Sequence, residues 1–139
     1  MMFEDLGTYQ DYLSDFYNKL DKKLSATELI IEVACSISSM VQNMTVETVR
    51  TMYKIFIERS ATTGTACKEI FEMPFLFVEL YKLGLKKGEF KETNPLSVAE
   101  NIKTLLVGVT YEWCLYHPNY DFISRTKSLV SDYIKGLAK

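Results

Sequence analysis

The sequence is poor in residues that interrupt helices. It has three prolines and six glycines in 139 residues, and it contains no Asn-Gly or Asp-Gly pair, the strongest short-range signal for a β-hairpin. Apolar residues instead recur three and four apart along almost the whole chain, the spacing of amphipathic helices. An excess of positive charge is missing too. Sixteen Lys and Arg stand against 18 Asp and Glu, a net charge of -2, with the signs interspersed. Neutralising phosphates needs a clustered basic surface, so the chain by itself is not expected to bind DNA. Cys35, Cys67 and Cys114 are odd in number and widely separated, and the single His nearby, His117 three residues after Cys114, leaves any zinc site short of its other ligands. They read as buried thiols in a reducing cytoplasm rather than as a disulfide framework or a zinc site.

Long apolar runs are also absent. The most apolar stretch, Leu105 to Val109, falls well short of the roughly twenty residues needed to cross a bilayer. The opening MMFEDLGTYQD is acidic where a secretory signal is basic. These features predict a cytoplasmic protein with no membrane partner. There is no glycine-rich phosphate loop after a strand and no Gly-x-Ser-x-Gly elbow. The single histidine, His117, has only the Cys114 thiol nearby in sequence and no further Cys or His, and the carboxylate pairs Glu28/Glu32 and Glu69/Glu72 are spacings that any helical surface produces. No enzyme activity, metal or cofactor is expected.

What is present reads as all helix. A first helix places Phe3, Leu6, Leu13, Phe16, Tyr17, Leu20 and Leu24 on one stripe. Ser25 followed by Glu28 forms a capping box that opens a second helix, with Leu29, Ile30, Val33, Ala34, Ile37, Met40 and Val41 inward. Thr45 caps a third, whose stripe is Val46, Val49, Tyr53, Phe56 and Ile57, and Ser60 to Thr65 reads as a loop. Pro74 is expected to kink a helix begun near Ala66. From Phe75 onward apolar side chains occupy almost the whole circumference, apart from a strip of Glu79, Lys82 and Lys86, which marks a central helix.

That helix runs into LGLKKGEF, and the chain restarts at Asn94-Pro95. Gly88 stands where a left-handed C-terminal cap belongs, with Lys86 and Lys87 against the carbonyl end of the dipole. Asn94 can accept from free amides of the next helix, while Pro95 fills its first turn without losing a hydrogen bond. The helix from Pro95 to about His117 turns Val98, Ala99, Ile102, Leu105, Leu106, Val109, Trp113 and Tyr116 inward. A second apolar strip, Val107, Gly108, Tyr111, Cys114 and Leu115, lies on its other side. Gly108 costs about 1 kcal/mol against Ala inside a helix unless something approaches the backbone there. Pro118 ends this helix, and Asp121 caps a last one with a wide apolar arc that includes Leu129 and Tyr133. The surplus apolar surface of these two helices predicts a homodimer seam at Val107, Gly108, Tyr111, Leu115, Leu129 and Tyr133.

The order of a helix ending LGLKKGEF, a short turn, NPLSVAENIKTLLVGVTYEW, a proline, YDF and an amphipathic helix resembles the C-terminal regulatory domain of TetR-type transcriptional regulators. Gly84, Gly88, Glu89 and Phe90, then Leu106, Gly108 and Trp113, carry the likeness, which runs from about Leu80 to Leu137. The family's N-terminal helix-turn-helix domain has no counterpart here, so DNA would be reached only through that missing domain. The resemblance implies one effector-binding and dimerisation domain over residues 1–139. Its fold would be an antiparallel bundle of about six helices, with the last two long helices forming a four-helix bundle in the homodimer. It also implies a small apolar or aromatic effector, for which Phe16, Tyr53, Phe56, Phe77, Tyr81 and Trp113 are the lining candidates, with Glu112 at the edge. Each of these aromatics alone reads more simply as core filling, and Glu112 as a solvated carboxylate. The alternative from another class is a ligand-free helical dimerisation or adaptor module.

Overall fold

The computed structural model of the protein describes residues 23–63 and 75–139, together with Asp15, Asn18 and Lys19. The described residues form five helices and no strand: α1 (Ala26–Gln42), α2 (Val46–Thr63), α3 (Phe75–Lys86), α4 (Pro95–Tyr116) and α5 (Phe122–Lys135). Of the expected first helix only Asp15, Asn18 and Lys19, each helical, and its end at Lys23 and Leu24 are described; Phe16, Cys67 and the expected kink at Pro74 lie outside the described residues. Among the described residues no single helix is long and apolar enough to cross a membrane.

Local chemistry starts the helices as their sequences predict. Ser25 accepts from the Glu28 amide at 3.1 Å, while the Glu28 carboxylate accepts from the Ser25 amide at 3.0 Å, closing the capping box of α1. Thr45 accepts from the Thr48 amide at the start of α2, Asn94 from Leu96 at the start of α4, and Asp121 from Ser124 at the start of α5. The predicted loop at Ser60 to Thr65 does not begin where expected, since α2 continues to Thr63. Residues 60–63 contain neither glycine nor proline, so nothing forces the backbone out of helical hydrogen bonding.

The bundle is closed mainly by α1 against α5 and α3 against α4, with α4 on α5 and α1 on α3 completing the ring. After α1 the chain bends by 103° into α2, which lies chiefly across α4. Two apolar clusters result. The larger joins Ala26, Leu29, Ile30 and Val33 of α1, Phe77, Leu80 and Tyr81 of α3, Val98, Ala99, Ile102 and Leu106 of α4, and Val130 and Ile134 of α5. The smaller joins Val41, Val49, Val109, Trp113, Cys114 and Phe122.

The buried face of α4 therefore turns along its length, because its neighbours change from α1 and α3 to α2. That is why Cys114, expected on the outer strip, is buried, whereas Tyr116, expected inward, is 56% exposed. The wide arc of α5 is likewise absorbed by its own chain. Leu129 packs on the smaller cluster and Tyr133 on the larger, and Asn101 donates to the Tyr133 hydroxyl at 2.9 Å. Ser124, Arg125, Lys127, Ser128, Asp132 and Lys135 make the outer face of α5 polar.

Candidate functional site

The turn between α3 and α4 is built from more distant partners than its sequence suggests. Gly88 has φ of 76°; its amide donates to the Leu85 carbonyl at 3.1 Å, and the Glu89 amide donates to Gly84 at 2.9 Å. Those two bonds are the Schellman pattern, which satisfies the free carbonyls of the last turn. Glu89 then reaches back to α1, where both carboxylate oxygens lie 3.1 Å from the Ala26 amide. A negative group at the positive end of that helix dipole adds to the Ser25 cap.

Phe90 turns inward, 3% exposed, and stacks on Tyr81 with ring centroids 4.6 Å apart. Its ring fills the space that a side chain at Gly84 would take. A Cβ added there would run into the Phe90 ring and come 3.0 Å from the Cβ of Ala26. The Tyr81 hydroxyl donates to the Lys91 carbonyl at 2.7 Å. The C-terminal residues close the other side: the Lys91 amide donates to the Leu137 carbonyl at 2.8 Å, and the Lys139 amide donates to Glu89 at 2.9 Å. These bonds make an isolated antiparallel bridge between Phe90 and Ala138.

The candidate ligand-lining residues do not converge on one place. Phe77 and Tyr81 are fully buried in the larger cluster. Trp113 is in the smaller one, stacked on Phe122 at 4.9 Å. Tyr53 and Phe56 are half-buried on α2, their rings 6.3 Å apart, and Tyr53 lies 6.0 Å from Tyr111. The Tyr53 hydroxyl donates to the Val107 carbonyl at 2.8 Å, and burial pushes its ionisation up. Glu112 is not a free carboxylate: the Tyr120 hydroxyl donates to it at 2.8 Å. Burial first, and then this carboxylate, push the Tyr120 phenol up to about 12.

The outer face of α4 gathers several of the expected seam residues. Gly108 is exposed, and a Cβ built on it meets nothing within 4 Å. Tyr111 and Leu115, one and two turns on, are 48% and 55% exposed, and Ile57 on the neighbouring α2 is 64% exposed. Val107 is half-buried behind them.

Two polar links that sequence reasoning missed hold this region together. Pro118 has no amide to offer the Cys114 carbonyl four residues earlier. Arg50 supplies the donors instead, Nε at 3.0 Å and Nη2 at 2.8 Å. Ser38 and Thr126, both buried, share a 2.8 Å hydrogen bond between α1 and α5. The residues in these links are 64 and 88 positions apart, so no local pattern could have paired them.

No group of three or more His, Cys, Asp or Glu that could hold a metal ion is present among the described residues. The Cys35 and Cys114 thiols are pushed up by burial, away from the reactive thiolate form. His117 is exposed, its ring edge-on to Trp113 at 5.9 Å. Comparison of the chain with family models, with curated proteins and with solved structures finds no match.

Proposed function

We infer that the chain is the ligand-sensing and homodimerisation domain of a TetR-like transcriptional regulator of the repressor type. What supports the reading is the order of motifs from Leu80 to Leu137, taken with one structural observation: the apolar outer face of α4 around Gly108. A mid-helix glycine with open space above it loses about 1 kcal/mol of helix stability against Ala. In this reading a second copy of α4 approaches the backbone there, with Tyr111 and Leu115 flanking the contact. The same patch then serves both partners about a two-fold axis, the usual closed arrangement of a homodimer. An effector acts by preferring one of two dimer geometries, and only its differential affinity moves that equilibrium.

Sedimentation of the chain tests the reading. A dimer at micromolar concentration is expected, and Gly108→Leu is expected to separate it, while Lys103→Ala leaves it intact. A monomeric chain, or an undisturbed Gly108→Leu dimer, removes the seam from α4. The tight packing of Phe77, Tyr81 and Trp113 favours a second reading, a ligand-free dimerisation or adaptor module. A thermal-shift screen separates the two, because a ligand that binds only the folded state raises its melting temperature.

A further inference from the structure

Phe90 sits in the core without belonging to a helix. Its ring lies against α3, on the face of Tyr81 and the bare backbone of Gly84, with Ala26 of α1 beside that glycine. Its backbone is held by short polar ties instead of a regular element. Glu89 is bound to Ala26, Lys91 to Tyr81, and both flanking residues to the pair Leu137 and Lys139. A one-residue bridge is the whole of the pairing between Phe90 and the C-terminal residues. Segments outside the regular elements open locally, at free energies between zero and the global value.

We propose that Phe90 is an internal plug in a binding slot for a single aromatic ring, and that a ligand occupies the slot when the segment Glu89–Lys91 swings out. The slot has the shape and chemistry for this class. One wall is the Tyr81 ring, which stacks on a flat aromatic face. The floor is Gly84, where any side chain would close the space, and the buried cluster to which Phe90 belongs is apolar. Opening also frees the Tyr81 hydroxyl from the Lys91 carbonyl, leaving one hydrogen-bond donor at the edge of an apolar cavity. Ligand sites typically combine apolar walls with such a placed polar group, and an apolar cavity of this kind stays dry and admits an aromatic molecule. The ligand class is therefore a one-ring aromatic bearing an acceptor oxygen, such as a phenol.

The proposal gives the effector of the regulatory reading a place and a class. Its test is ring binding by the chain in whatever oligomeric state it adopts, so it stands or falls apart from the dimer.

Phenol binding to the full chain is measured by calorimetry, with amide hydrogen exchange followed in parallel. A plugged site binds with an affinity reduced by its small open fraction. Lys139→Pro deletes the amide that holds the Glu89 carbonyl and leaves the slot lining intact. Losing one such bond is expected to raise the open fraction, and with it the apparent affinity for phenol, about tenfold. Phe90→Ala, which removes the plug, is expected to bind more tightly still. Phenol is expected to speed exchange at the Glu89, Lys91 and Lys139 amides while those of Ile102 and Val109 stay slow. Equal affinity in wild type and Lys139→Pro, despite faster exchange at Glu89 and Lys91, overturns the proposal. So does phenol that slows exchange in this segment, or no binding to any of the three proteins. If Phe90→Ala does not fold, the comparison of wild type with Lys139→Pro decides the matter.

Discussion

Replacing Gly84 by alanine sets two well-known effects against each other. In an open helix the change is favourable by about 1 kcal/mol, because alanine loses less backbone entropy. At Gly84, however, the new Cβ runs into the Phe90 ring, with Ala26 closing the other side at 3.0 Å. If the ring is driven out, the fold loses about 1.5–3 kcal/mol of phenylalanine burial. It also loses the contact with Tyr81 at 4.6 Å, and such aromatic pairs contribute about 0.5–1.5 kcal/mol beyond area. If ring and helix move apart instead, overpacking costs about 1–3 kcal/mol. Once the propensity gain of about 1 kcal/mol is subtracted, Gly84→Ala is therefore expected to destabilise the chain by about 0–2 kcal/mol if ring and helix move apart and by about 1–3.5 kcal/mol if the ring is driven out. With Phe90→Ala already in place only the Ala26 Cβ at 3.0 Å stays close, so the same change should cost far less and at most stabilise by about 1 kcal/mol. Urea unfolding followed by far-ultraviolet circular dichroism measures all four members of this double-mutant cycle. Gly108→Ala, at submicromolar concentration, supplies the reference, since its Cβ meets nothing within 4 Å. A Gly84→Ala protein as stable as Gly108→Ala, or a cycle with no coupling, would refute the placement of Phe90.

Arg50→Ala removes both donors to the Cys114 carbonyl and should cost about 1–2 kcal/mol, discounted because the side chain is 41% exposed. Arg50→Lys should recover only part of that, because a lysine cannot offer two donors from one planar group; urea midpoints read both. Ser38→Ala leaves Thr126 its bond to the Phe122 carbonyl, so a loss of about 1 kcal/mol is expected, whereas replacing both Ser38 and Thr126 by alanine should show non-additivity in a thermal melt. Alkali tests the two bound phenols: Tyr53 and Tyr120 are raised in the folded chain, so their neutral forms favour folding below the ordinary tyrosine pKa of about 10. That contribution is lost as the pH rises through about 12 for Tyr120, and Tyr120→Phe should flatten the fall of stability between those values.

The parts of this protein legible in its sequence are those whose partners lie within one helical turn. The Ser25–Glu28 capping box, the left-handed Gly88, Asn94 before Pro95 and the Asp121 cap each follow from residues at most four apart, and the helix faces follow from a 3.6-residue period. Which face meets which neighbour is a different matter, because it depends on where helices far apart in sequence come to lie. Periodicity marks Gly108 as the helical glycine that something must approach, yet within the chain the close approach is at Gly84, where Phe90 returns six residues later. Glu89 finds Ala26 across 63 residues and Arg50 finds Cys114 across 64. Neither partner is special by type; each is chosen because packing leaves one amide or one carbonyl unpaired within reach. The aromatic residues likewise share a helical stripe pattern but divide between two clusters once α2 bends by 103° from α1. Local hydrogen bonding and side-chain period thus determined the elements and their ends, whereas the bend and the packing it allows decided which side chains meet.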